Sequence, residues 1–176
     1  GDRRGVVDCG VFQGGMEEIA RNRMAFSYRP DEVAAVLLTH AHNDHIGRLP
    51  ALVRAGYRGP VYATAATGDL AEIVLTDSAH LMARDVDYVN RHRRGRAPRE
   101  PLYGPQDATA TVGRFERHDY HQPWELFEGS RVEYFNAGHI LGAALTTFEF
   151  SDNGRRLRLG MGGDLGRPDQ IGRAHV

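Results

Sequence analysis

Four side chains able to ligate a metal fall within six positions, His40-Ala41-His42-Asn43-Asp44-His45. In extended chain, residues i and i+2 point the same way, so His40 and His42 can reach one ion together. Asp44 and His45 follow as the chain turns toward a helix, which lets them face a second ion. Two metals about 3.5–4 Å apart suit hydrolysis by in-line displacement. Imidazole and carboxylate donors favour zinc, with manganese and iron as alternatives. A surface loop of four polar residues is the competing reading. It loses weight because the motif follows directly on the apolar run Val33-Ala-Ala-Val-Leu-Leu-Thr39.

Two later segments offer a further donor each. His139 lies in Ala137-Gly138-His139-Ile140-Leu141-Gly142, and Asp164 in Gly163-Asp164-Leu165-Gly166-Arg167. Each follows a run with strand character, residues 132–136 and 156–161. A strand-end His or Asp in a glycine turn is by itself more often a turn residue. In this order, after the first motif, each strand delivers a ligand at its end, and the adjacent glycines permit close backbone approach.

The elements that must hold these residues are legible in the apolar pattern. Residues 33–39 read as a strand covered on both faces. Residues 6–9 read as a buried strand end and 61–64 as a short strand. Residues 40–47 read as a polar loop. Helices are expected over 16–26, from Ile46 to Gly56 with Pro50 in the first turn, over 67–94, and over 106–115. On the long helix the expected apolar stripe is Leu70, Ile73, Val74, Ala79, Met82, Val86 and Val89. Strands are expected around 118–121, 125–127, 132–136, 145–150 and 156–161, with Asn153-Gly154 as a hairpin turn. Alternating strands and helices followed by a strand meander indicate a layered α/β architecture.

Composition bounds the rest. The chain has 176 residues, 41% hydrophobic and 26% charged, with a net charge of −1. That suits a globular domain and gives no overall pull toward nucleic acid or a membrane. No apolar run approaches the ~20 residues that span a bilayer. Cys9 is the one cysteine, so a reducing cytoplasm is the expected location. All 22 basic residues are Arg, which GC-rich coding explains. His80, His92, His118 and His121 lack ligand spacing and stay outside the site.

The motifs together resemble the metallo-β-lactamase superfamily, and within it the β-CASP branch of RNA-processing nucleases. That branch includes the cleavage-and-polyadenylation endonuclease and its bacterial and archaeal relatives. The resemblance is carried by Val7-Asp8-Cys9-Gly10-Val11-Phe12-Gln13-Gly14, by Leu38-Thr39 through Leu49-Pro50, by Gly59-Pro60-Val61-Tyr62-Ala63-Thr64, and by the two later motifs. It implies that His40, His42 and His139 bind one zinc, that Asp44 and His45 bind a second, and that Asp164 bridges both. Asp44 would also accept a proton from the attacking water. Asp8 matches the family's first acidic position and would steer the His ligands. The implied activity is cleavage of single-stranded RNA with water activated by two zinc ions. A small-molecule hydrolase acting on a thioester or lactam, and a non-catalytic partner subunit, are the alternatives. The sequence Gly138-His139-Ile140-Leu141-Gly142-Ala143 resembles the nuclease branch, whereas thioester hydrolases resemble a Gly-His-Thr pattern there. Asn43, Ile46 and Met161-Gly162-Gly163 depart from the usual pattern without touching a ligand.

The resemblance also implies a partial αββα sandwich, lacking the family's opening strands and the β-CASP cap domain. Residues 1–170 are then the N-terminal part of the domain. Residues 171–176 coincide with an in-frame translation of a common sequencing adapter and are expected to be a tail derived from it. Arg91, Arg93, Arg94 and Arg96 form a basic loop expected to contact RNA phosphates. A homodimer of the full-length parent is left open.

Overall fold

A computed structural model describes residues 3–92, 97–152 and 154–166. Two four-stranded sheets face each other. The first is parallel, in the order β1 (Arg4–Val7), β2 (Val33–Leu37), β3 (Val61–Ala63), β4 (Phe115–Arg117). The second is antiparallel, in the order β5 (Trp124–Phe127), β6 (Ser130–Asn136), β7 (Ala144–Asp152), β8 (Arg155–Gly162). Helices connect the parallel strands, as the crossover geometry demands. They are α1 (Met16–Arg21), the single turn α2 (Asn43–Ile46), α3 (Leu49–Arg54), α4 (Ala65–His92) and α5 (Pro105–Val112).

Strand β2 is buried on both faces, as its unbroken apolar run requires. Val36 and Leu38 enter a core with Leu49, Leu52 and Val53 of α3, Val61 of β3, and Ala71 and Leu75 of α4. Leu37 faces the other way and lines an apolar cavity with Leu126, Phe127 and Phe148 of the second sheet. Strand β6 buries alternate residues, Val132 and Tyr134, the period of a half-covered strand. Strand β8 is exposed throughout.

Several expectations shift once packing is known. The long helix is present as α4, but its buried line is Thr67, Gly68, Ala71, Leu75 and Ala79. Ile73, expected in the stripe, is 65% exposed, while Leu70 and Val74 only flank the core. Of this line Ala71 and Leu75 enter the core beneath the first sheet, while Ala79 packs with Ala51 of α3, with Tyr103 and with Ala108 of α5. Helix α1 ends at Arg21 instead of reaching residue 26. There Asn22 turns the chain: its Oδ1 accepts the Phe12 N–H at 2.8 Å and its Nδ2 donates to the Phe12 carbonyl at 2.9 Å. The strand expected around 118–121 lies earlier, at β4, and Phe115 begins it rather than ending a helix. Residues 40–47 are not all loop, since α2 forms within them. Strands β7 and β8 pair antiparallel up to Asp152↔Arg155, beside the expected hairpin turn, of which Asn153 lies outside the described residues.

Candidate metal centre

The ligand-type residues gather where strand ends of both sheets meet. His40 and His42 leave the end of β2, and His45 sits in α2. His139 lies in the turn between β6 and β7, and Asp164 follows β8. Backbone contacts that only glycine permits hold these segments together. The chain leaving β1 clasps α2: Cys9 N–H donates to the His45 carbonyl at 2.7 Å, Val11 N–H to that of Asn43 at 3.2 Å, and Arg48 N–H to that of Cys9 at 2.9 Å. A Cβ on Gly10 would lie 1.5 Å from the Asp44 carbonyl oxygen, so no side chain fits there. The His139 turn is tied down twice. Asn136 Oδ1 accepts the Gly138 N–H at 2.8 Å, and Thr64 and Thr67 hydroxyls donate to the Gly142 carbonyl at 2.7 and 2.8 Å. Gly166 N–H donates to the Ala137 carbonyl at 3.0 Å, which joins the Asp164 turn to the His139 turn.

His40 Nε2 lies 3.1 Å from His42 Nδ1, which lies 3.2 Å from His139 Nε2. Asp164 Oδ2 stands 3.4 Å from His139 Nε2. One donor atom from each of these four residues lies within 4.8 Å of the others. A tetrahedral ion with bonds near 2.0–2.1 Å separates its nitrogen donors by roughly 3.3–3.4 Å along each edge. The three spacings that run His40–His42–His139–Asp164, at 3.1, 3.2 and 3.4 Å, match that edge to within a few tenths of an ångström, while the four donors as a set lie within 4.8 Å of one another. His40 is buried, and burial followed by the neighbouring His45 and His42 drives its pKa down to about 4. It is therefore a neutral imidazole with a lone pair to give. The donor set and its spacing fit a zinc-like cation.

The second half of the expected constellation is looser. His45 Nε2 lies 3.5 Å from Asp164 Oδ1, so the two oxygens of Asp164 reach toward His45 and His139 separately. Asp44 is exposed on α2 beside His45 and is not in the four-donor cluster. Asp8 stands behind the site. Its carboxylate accepts the Thr39 N–H at 2.8 Å, the Thr39 hydroxyl at 2.7 Å and a ring nitrogen of His45, Nδ1, at 2.7 Å. Burial raises the Asp8 pKa, opposed by the bonds from His45 and Thr39. Asp8 adopts φ +60, a left-handed conformation that Asp tolerates better than most residues.

Arg91 is exposed in the last turn of α4. The helix touches the His139 turn through Thr67, and Arg91 is about 36 Å further along its axis. Arg93, Arg94 and Arg96 lie outside the described residues, as do 171–176. Sequence reasoning left Thr39, Thr64, Thr67 and Asn136 without roles. Hydroxyl and amide residues flanking the ligand-bearing turns were the available signal.

The family model described as Metallo-beta-lactamase superfamily matches residues 1–168, and the chain belongs to that superfamily. Among the proteins it is similar to, one named Ribonuclease TTHA0252, from Thermus thermophilus, is 41% identical over 97% of this chain and 34% of its own length. A protein of Methanosarcina mazei named Transcription termination factor FttA is 31% identical over 86% of this chain and 22% of its own length. The chain thus spans about a third or less of these relatives. A solved subclass B3 metallo-beta-lactamase with an active-site glutamic acid superposes with a TM-score of 0.53 at 19% identity, covering 97% of this chain and 60% of that one. At that identity the likeness speaks for the fold. Among the described residues no helix is long and apolar enough to cross a membrane.

Proposed function

We propose that the natural full-length protein is a zinc-dependent ribonuclease that cleaves single-stranded RNA in the cytoplasm. The observation that carries the metal half is the convergence of one donor atom each from His40, His42, His139 and Asp164 to within 4.8 Å of one another, with the three histidines linked at 3.1 and 3.2 Å. The RNA half is supported by the similarity to a protein named a ribonuclease along nearly the whole chain. His40, His42 and His139 would hold one zinc, Asp44 and His45 a second, with Asp164 between them. Bound there, the two ions would supply an activated water and neutralise charge on the phosphoryl oxygens. Asp8 holds the His45 ring through Nδ1, leaving Nε2 toward Asp164. Asp44, exposed beside His45, would take the proton of the attacking water. Arg91, Arg93, Arg94 and Arg96 would contact phosphates of a long substrate far from the cleaved bond. Residues 1–170 would be the N-terminal part of the catalytic domain, followed by an adapter-derived tail at 171–176.

The test compares full-length wild type with Asp44→Ala on labelled RNA, a chromogenic lactam and a glutathione thioester. RNA cleavage by the wild type, its loss in Asp44→Ala and retained RNA binding by the variant are expected, since phosphate contacts come mainly from Arg outside the site. Lactam or thioester turnover without RNA cleavage overturns the reading. Metal analysis of His42→Ala should show a lowered content, and equal content would remove His42 from the ligand set.

A further inference from the structure

We infer that Thr39 is a positioning residue: seated against Gly163, its hydroxyl fixes the His40 ring so that Nε2 offers its lone pair to the metal cluster. The inference rests on the four-donor cluster being a metal site. Thr39 is 1% exposed and is held at every polar atom. Its N–H donates to Asp8 Oδ1 at 2.8 Å and its carbonyl accepts the Ala144 N–H at 2.7 Å. Its Oγ1 lies 2.7 Å from Asp8 Oδ2 and 3.1 Å from His40 Nδ1.

The proton count settles the direction of these bonds. A hydroxyl has one hydrogen to donate and two lone pairs. An ionised Asp8 can only accept, so it takes the Thr39 N–H at 2.8 Å and makes His45 Nδ1, at 2.7 Å, a donor as well. The Thr39 hydrogen therefore goes to Asp8, and Oγ1 is left to accept from His40. His40 Nδ1 must then carry the ring proton. In a neutral imidazole the other nitrogen is a bare acceptor, and here that is Nε2, the atom facing His42 and the cluster. Asp8 thereby sets two rings, His45 directly and His40 through Thr39.

Gly163 closes the arrangement from the second sheet. A Cβ there would lie 2.3 Å from Thr39 Oγ1 and 3.1 Å from His40 Nδ1. The hydroxyl is thus walled in by Asp8, by His40 and by the segment following β8, and has no alternative rotamer space on that side. Any side chain at 163 pushes on the hydroxyl and on the ring nitrogen that the hydroxyl aligns.

The experiment uses the full-length protein, with zinc affinity measured by competition against a chromophoric chelator. Thr39→Val keeps the shape and removes the hydroxyl; Thr39→Ser keeps the hydroxyl. The expectation is a ~10–100-fold loss of affinity in Thr39→Val, the range seen for outer partners of metal ligands, and near-wild-type affinity in Thr39→Ser. Gly163→Ala should weaken binding in the same direction. Nitrogen-15 shifts of His40 in metal-free wild type should report a proton on Nδ1. A proton on Nε2, or equal affinities of wild type and Thr39→Val, overturns the inference. So does Thr39→Ser as weak as Thr39→Val, which would make the methyl group the important part. Should Thr39→Val not fold, Gly163→Ala and the nitrogen shifts decide the matter. Wild type without zinc affinity would instead sink the metal reading itself.

Discussion

The two sheets build their halves of the candidate metal centre by different means. The parallel sheet places His40 at the end of a strand sealed on both faces. Val36 of that strand packs among Leu49 and Leu52 of α3 and Ala71 and Leu75 of α4, all of them fully buried. The antiparallel sheet supplies His139 and Asp164 from turns, and its last strand, β8, is exposed along its length. Asp164 keeps half of its side-chain surface in solvent, whereas His40 is 1% exposed. One half is a buried platform and the other a more exposed jaw seated against it. The jaw is tied to the platform by a few hydrogen bonds, from Thr64 and Thr67 to Gly142 and from Ala144 to Thr39.

The largest expected effect would come from breaking the platform. In the full-length protein Leu38→Ala should cost about 2–5 kcal/mol of stability, because a fully buried side chain leaves a cavity. Leu159→Ala on β8, where the residue is 49% exposed, should cost less than about 1 kcal/mol. Denaturant midpoints check the pair, and equal losses would erase the distinction between the halves. Covering of β8 by other parts of the full-length protein would show as a larger loss at Leu159.

Next in size is the joint between the halves. Gly142 has φ +83, and a Cβ there would sit 2.4 Å from the Thr67 nitrogen. Gly142→Ala should destabilise by about 1–3 kcal/mol and loosen the His139 turn. Hydrogen exchange of residues 137–143 reads this out, and unchanged protection would show that the turn does not depend on α4.

Metal removal sharpens the comparison without breaking it. Chelation should speed exchange in the turns at 137–142 and 163–166 and leave β2 and α3 nearly as protected as before. A uniform rise across both sheets would mean the platform needs the metal as much as the jaw does.

The smallest effect concerns Cys9, at the platform's edge. Burial drives its pKa from 9.0 up to about 12. The thiol is then protonated in the folded state at pH values where the unfolded chain has lost the proton. Its contribution is complete below pH 9 and is lost as pH rises toward 12. Alkylation in mildly alkaline buffer should be slow in folded protein and fast in denaturant, and equal rates would place the thiol in solvent.

Much of this was legible in the residues alone. The apolar run before His40 specifies a doubly covered strand, because no polar side chain interrupts either face. The i, i+2 spacing of His40 and His42 brings two donor rings together at 3.1 Å, and the order of the motifs specifies the superfamily. Tertiary structure decided what depends on contacts between distant segments. Asp8 reaches His45 across 37 positions and Thr39 across 31, pairings that no local pattern encodes. The packed face of α4 was set by its contacts with the first sheet's core and with α3 and α5, so Ile73 lies outside while Ala71, Leu75 and Ala79 lie inside. That Asp44 stands outside the four-donor cluster is likewise decided only in three dimensions, where the turns of the second sheet bring His139 and Asp164 to His40 and His42.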